Sequence, residues 1–289
     1  MRKIWSKTNQ NCLNKSQAHS ESHLSDHSEG RLFLCPLWHH HGQSAAPIPN
    51  PHSPIPLGHR VGYASTDLID GNKAVCAQFK TIGENGVYLT QIEVDTGSDT
   101  KVTAASGVMI QMLDKDGYGT DSYVYHKGDS KGFKTDGWYK STTLITTEND
   151  VFFPVGTGLW FGGKSGYSLR TAGEVITATQ TFNLIDGNTM IANPYPAPVK
   201  LTSFIMGTGD DTKVTASTGV MIQILDKDGY GTDSYVYHKG DSKGFKTDGW
   251  YKSTTLITTD NDVTFQPGDA MWFGGKAGYT VTIPSPIAQ

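Results

Sequence analysis

From residue 107 to residue 171 the chain breaks into short apolar and aromatic runs with no sustained helical stripe. GVMIQML (107–113) is apolar and β-branched, and SYVYH (122–126) alternates, with Tyr123 and Tyr125 on one face and Val124 on the other. GWYKS, TTLITT, DVFFPV, GLWFGG and GYSLRT follow, each short and each bounded by Gly, Asp, Asn or Pro. Many short strands with frequent turn residues predict a sandwich or barrel built on β-structure.

The same pattern occurs twice. The 35 letters from Leu113 to Thr147, beginning LDKDGYGTDSYVYHKGD, return unchanged from Leu225 to Thr259. DTKVTA (99–104 and 211–216) and LWFGGKSGY/MWFGGKAGY (159–167 and 271–279) extend the match, and LIDGN (68–72 and 184–188) opens both copies. A period of roughly 110 residues means tandem domains, since solenoid units are shorter. The expected fold is therefore all-β: two tandem β-sandwich or β-barrel-like domains from an internal duplication, residues 61–176 and 177–289. Only the opening third of each copy has diverged, KAVCAQFKTIGENGVYLTQIEV against TMIANPYPAPVKLTSFIM. Recent duplication accounts for the identical remainder, and so does one surface used twice; the divergent third is then where each domain meets a different neighbour.

Residues 1–60 stand apart as an expected disordered or non-native leader. They hold eight of the ten histidines and no hydrophobic period. LFLCPLW (32–38) is too short, too late and too broken by Pro36 for a secretory signal of regular design. An atypical export leader and a His-rich metal tail are the competing readings. Asn14, in Asn14-Lys15-Ser16, is the one N-glycosylation pattern.

Charge narrows the partners. The leader carries six basic and three acidic side chains, a net +3 against −4 for the whole chain, which leaves −7 on residues 61–289. An acidic body lacks the basic footprint that nucleic acid requires. No apolar run reaches the roughly 20 residues of a membrane span. Low charge, at 18%, with 33 glycines and 13 tyrosines, suits a secreted, extracellular β-protein. Only Cys76 lies in the body, which leaves no internal disulfide framework there.

DKDGYGTD (114–121 and 226–233) has two chemical readings. Asp114, Asp116 and Asp121, with Asp226, Asp228 and Asp233, supply hard oxygens for calcium, and glycines supply the bend. Asp-Gly between two strands is equally a hairpin turn, the reading preferred here, since the EF-hand's closing Glu and helices are missing. Asp129, Asp136, Asp241 and Asp248 are further candidate ligands. No cofactor is expected, with calcium the one alternative.

His126 and His238 are the body's two histidines, and a Ser/His/Asp set can be drawn with Ser122, Ser130, Asp129 and Asp136. No G-x-S-x-G elbow supports it, and Cys76 reads as a small buried hydrophobe. The expected activity is non-enzymatic. The repeated aromatics serve core, subunit contact or sugar stacking; Trp138 and Trp250 are the sugar-contact candidates, with glycans the partner.

The order IQ(M/I)L, SYVYH, GWYKS, PVGTGLWFGG or QPGDAMWFGG, with VGYASTDL at the start and IANPYPAPVKL at the second opening, resembles secreted bacterial tandem β-domain proteins. Some of these are subunits of extracellular fibrils assembled by donor-strand complementation. The resemblance implies a structural protein whose partner is itself and whose N-terminal strand completes a neighbour's domain. The donor candidate is Val61, Gly62, Tyr63, Ala64, Ser65, Thr66, Asp67, Leu68 and Ile69, since the equivalent TATQTFNLI (177–185) continues from a preceding domain. A carbohydrate-binding surface protein and a calcium-binding adhesion module are the alternatives.

Overall fold

The structure, a computed structural model, describes residues 60–103, 108–128, 135–143, 151–215, 217, 220–240, 247–255 and 263–287. The leader, with Asn14, and the candidate residues Asp129, Ser130 and Asp241 lie outside them. The described residues belong to one compact unit, Leu57–Gln289.

The first repeat forms β1 (Val61–Asp67), β2 (Gly71–Val75), β3 (Phe79–Lys80), β4 (Gly86–Tyr88), β5 (Glu93–Asp95), β6 (Met109–Leu113), β7 (Gly119–His126), β8 (Gly137–Lys140), β9 (Phe152–Pro154), β10 (Leu159–Gly163) and β11 (Ser168–Val175). The second forms β12 (Gln180–Asn183), β13 (Gly187–Ala192), β14 (Val199–Lys200), β15 (Ile205–Gly207), β16 (Met221–Leu225), β17 (Gly231–His238), β18 (Gly249–Lys252), β19 (Thr264–Phe265), β20 (Ala270–Gly275) and β21 (Thr280–Ile283). The fold is all-β, as the alternation predicts. Thr142 and Thr143 of TTLITT lie in a turn after β8, and the rest of that run is outside the described residues.

Both repeats have one plan. A five-stranded antiparallel sheet runs β2-β10-β6-β7-β8 in the first and β13-β20-β16-β17-β18 in the second. A smaller sheet faces it: β11 flanked by β1 on one edge and by β3 and β5 on the other, and β21 flanked by β12 and β15. A short ladder, β4-β9 or β14-β19, completes each repeat. The counterpart of β3 is lost where Pro194 and Pro196 flank Tyr195, because proline cannot donate to a ladder.

Each repeat has its own core. In the first, Val75, Ile110, Tyr123, Trp138 and Phe161 of the large sheet meet Val94 and Leu169 of the small one. Ile191, Ile222, Tyr235, Trp250 and Phe273 meet Val281 and Ile283 in the second. Period-two alternation explains this: Tyr123 and the partly buried Tyr125 face the core while Val124 faces away. Val155 and Ile176, both within the expected first domain, are buried in the second core.

Candidate functional site

The repeated hairpins define the first feature of the site. In the β6–β7 turn the Asp114 carboxylate accepts the amides of Asp116 and Tyr118, both at 2.9 Å. Gly117 takes a left-handed φ of 87°, which only glycine adopts without strain. Asp226 accepts from Asp228 and Tyr230 in the same way, again at 2.9 Å. The remaining carboxylates turn to lysines: Asp116 to Lys115 at 2.9 Å, Asp121 to Lys140 at 3.0 Å, Asp228 to Lys227 at 3.4 Å and Asp233 to Lys252 at 2.7 Å. The six calcium candidates thus divide into two that brace the turns, Asp114 and Asp226, and four that pair with lysines, Asp116, Asp121, Asp228 and Asp233, and among the described residues no three metal-ligating side chains converge.

What these hairpins do is hold the other repeat. The Lys227 carbonyl oxygen accepts both the amide of Asn72, at 3.1 Å, and its side-chain Nδ2, at 3.3 Å. Reciprocally, the Lys115 carbonyl accepts the amide and Nδ2 of Asn188, at 3.0 and 3.1 Å. The hairpin of each copy therefore clasps the DGN turn of the other. Gly71 and Gly187 precede the two asparagines with φ of 109° and 113°. A Cβ on them would stand 3.3 Å from the Lys227 Cβ and 3.0 Å from the Lys115 Cβ. Geometry and close approach both demand glycine there.

The seam continues inward with the same symmetry. Cys76 donates its amide to the Gly268 carbonyl at 2.9 Å, and Ala192, its counterpart, donates to Gly156 at 3.0 Å. Val75 bridges Asp269 as Ile191 bridges Thr157. The Cys76 thiol reaches the Asn193 carbonyl at 3.5 Å, and burial pushes its pKa up, so the thiolate needed for nucleophilic chemistry is suppressed.

The sugar-contact reading of Trp138 and Trp250 is corrected by burial: they are 2% and 3% exposed. Trp138 Nε1 donates to the Ile92 carbonyl at 2.8 Å, and the ring meets Phe161 edge-on. Trp250 packs likewise on Phe273, but its buried Nε1 has no partner among the described residues. Among the described residues the exposed aromatics are instead Tyr63, Tyr118 and Tyr230.

The histidines are also interior. His126 and His238 stack edge-on against Tyr139 and Tyr251, and burial lowers the pKa of His238. Ser122 bonds Ser141, and Asp136 accepts the Gly128 amide at 2.8 Å. Of the Ser/His/Asp set drawn from the sequence, Ser122 and Asp136 make these contacts, while Asp129 and Ser130 lie outside the described residues.

One repeated cluster escaped the sequence reading. Lys164 bonds Asp99 at 2.7 Å while Tyr167 donates to the same carboxylate at 2.5 Å. Asp211, Lys276 and Tyr279 repeat this set. The lysine first, then the tyrosine, holds each aspartate below the usual carboxylate range. Recurrence of DTKV and FGGK-x-GY in both copies was the available signal; the cluster staples two loops of one repeat.

The candidate donor segment lies in its own domain. β1 pairs antiparallel with β11 over seven residues, from Val61↔Glu174 to Asp67↔Ser168. Leu68 follows, buried, and Ile69 is exposed. The exposed face of β1 carries Val61 and Tyr63, at 49% and 57%. Its inner face is thin: a Cβ on Gly62 would collide with the Phe79 ring at 2.3 Å. The Gln78 amide reaches Thr66 Oγ1 at 3.2 Å. In the second repeat the residue equivalent to Phe79 is Tyr195, fully buried, whose hydroxyl accepts the Gln180 amide at 3.0 Å and faces the carbonyls of Ile283 and Ala178 at 2.7 and 3.1 Å. Burial raises that hydroxyl's pKa to about 12, so it stays a donor. Tyr195 pins the strand equivalent to β1, and Phe79, lacking the hydroxyl, does not.

Fold and site define a tandem all-β protein whose halves are clasped about a pseudo-two-fold seam. Among curated proteins the chain is similar to the bifunctional autolysin of Staphylococcus epidermidis, at 28% identity over 202 residues. The match has the same extent in strains RP62A and ATCC 12228. It covers 67% of this chain but 14% of the autolysin. No protein-family model and no solved structure matches the chain. Among the described residues no helix is long and apolar enough to cross a membrane.

Proposed function

We propose that the chain is a non-enzymatic extracellular structural subunit that assembles with copies of itself, with β1 as the strand donated between subunits. One observation carries this reading. The strand equivalent to β1 in repeat two is locked by the Tyr195 hydroxyl, whereas β1 lies over Phe79 with no such lock. A strand held by its ladder and one side-chain bond, from Gln78 to Thr66, exchanges between chains at little net cost, because the contacts broken at home are remade in the neighbour. The motif likeness to fibril-forming tandem β-proteins points the same way.

A mixed cross-link tests it. One chain carries Tyr63→Cys and another Ala172→Cys, which are register partners on β1 and β11, with Cys12 and Cys35 changed to Ser in both. Donation gives a disulfide-linked dimer of unlike chains and filaments by electron microscopy. Monomers alone, at high concentration and under oxidation, would sink the proposal.

A second reading rests on the autolysin match: the repeats form the glycan-contacting part of a cell-surface protein. Tyr118 and Tyr230, exposed at equivalent hairpin tips, supply the stacking faces in this reading. Co-sedimentation with purified bacterial cell wall, abolished by the Tyr118→Ala/Tyr230→Ala pair, is its expected signature; no co-sedimentation removes it.

A further inference from the structure

The two small sheets expose unlike edges. Among the described residues β1 pairs only with β11, and β15 pairs only with β21, so each leaves an outer edge. On the first repeat, β1 shows Val61 and Tyr63, while the opposite edge strand, β5, shows Glu93 beside Asp95. On the second repeat the pattern inverts. The positions matching Val61 and Tyr63 are Thr177 and Thr179, and the position matching Glu93 is Ile205. Ile205 is 60% exposed, the most open of the large apolar side chains described.

Charged residues on an edge strand are what ordinarily stop sheets from joining. β5 has that protection: Asp95 pairs with Arg170, and Glu93 stands opposite Arg170 in register. β15, Ile205-Met206-Gly207, has no charge, and Thr282 replaces Arg170 across the ladder. β1 carries a single charge, at its final residue Asp67. Duplication began with equal edges, so the copies now differ in just the manner that gives one apolar edge per repeat. These edges lie on opposite sides of the equivalent strands β11 and β21, one corresponding to each flank of the common sheet.

From this inversion we infer that the open edge of β1 in one chain pairs with the open edge of β15 in a second copy, joining two small sheets across subunits. The contact is heterologous, so it propagates as an open series instead of closing on itself. Backbone amides and carbonyls of both edges find partners, and Val61 and Tyr63 lose water against Ile205. The inference rests on the self-assembly reading, but it concerns the edge of β1 that faces away from β11. It therefore holds whether β11 of the same chain or of another grips the first edge.

Sedimentation of the full chain tests it with four variants. Wild type is expected to form a concentration-dependent ladder of oligomers, and Tyr63→Lys and Ile205→Glu are each expected to lose it. An equimolar mixture of those two is expected to recover association, since the intact β15 edge of the Tyr63→Lys chain meets the intact β1 edge of the Ile205→Glu chain. Thr179→Lys and Glu93→Lys, at the equivalent positions, are expected to assemble as wild type does, which separates an edge effect from misfolding. Should Ile205→Glu polymerise normally while wild type also does, this edge contact is refuted and the subunit reading stands. If Tyr63→Lys alone blocks assembly, the β15 edge takes no part and the inference is overturned. A wild type that stays monomeric throughout overturns both readings.

Discussion

The carbonyl oxygen of Lys227 accepts two hydrogen bonds from Asn72, one from its backbone and one from its side chain, across 155 residues of chain. Lys115 and Asn188 repeat the contact in the other direction. Two sequence motifs that recur in both copies thus meet as opposites, each hairpin tip against the other copy's DGN turn. The reciprocity gives identical motifs a physical reason to stay alike, because a change in one hairpin must suit the turn of the other repeat.

Removing both asparagine side chains should loosen the seam without disturbing either core. Asn72→Ala with Asn188→Ala is expected to cost about 0.5–1.5 kcal/mol per site, the usual net worth of a hydrogen bond. The measurement is thermal unfolding by calorimetry, where a broadened or split transition in the double variant marks the uncoupling of the repeats. Gly71→Val should cost more than Asn72→Ala, since it adds a clash and a forbidden φ.

The Tyr195 lock and its absence at Phe79 give opposite expectations. Tyr195→Phe leaves the Gln180 amide and the Ile283 carbonyl without this partner and is expected to lose about 1–3 kcal/mol. Gly62→Val should instead push β1 off the Phe79 ring. Hydrogen exchange of the β1 amides would register this as lost protection over residues 61–67, with β6 and β7 unchanged.

The paired tryptophans are expected to respond unequally. Trp138→Phe strands the Ile92 carbonyl, whereas Trp250→Phe removes a buried N–H that has no partner among the described residues. Both leave a cavity, so the difference isolates the hydrogen bond: Trp138→Phe should be the worse by about 1 kcal/mol in urea unfolding. Equal losses would remove this distinction between the two indoles.

Acid should weaken the second repeat through His238. Burial lowers its folded pKa below the ordinary 6.5, so the unfolded chain binds the proton more readily. The stability it contributes is complete above that value and is lost as pH falls from about 6.5 toward the lowered folded pKa. Comparing melting temperature against pH for wild type and His238→Phe checks it. The variant's curve should be flatter over that window.

Chelation is expected to leave the melting temperature unchanged, because the Asp114 and Asp226 carboxylates are engaged by backbone amides. Asp114→Ala should lower the melting temperature, through a loss of about 1 kcal/mol of stability from the turn bonds, with or without added calcium. A calcium-dependent rise in melting temperature would restore the metal reading.

Much of this was legible in the chain. Period-two alternation at Tyr123-Val124-Tyr125 gave the strand and its core face, and the repeat gave two copies of one plan. Asp-Gly gave the hairpin tip, because its backbone geometry is a local property of two residues. The tryptophans were not legible in this way. Alternation says that Trp138 and Tyr139 point to opposite faces, but both are buried, since the large sheet is covered on the Tyr139 side as well.

By itself, then, the sequence determined what depends on neighbours along the chain: strand period, turn positions and the duplication. The tertiary structure alone decided which turn meets which hairpin, which aromatic is locked under which strand and which edges stay open. The clasp depends on contacts between residues 73 and 155 positions apart. A linear pattern records the capacity of Asn72 to donate and of the Lys227 carbonyl to accept. Only the folding of two near-identical domains against each other brings that donor and acceptor within 3.1 Å.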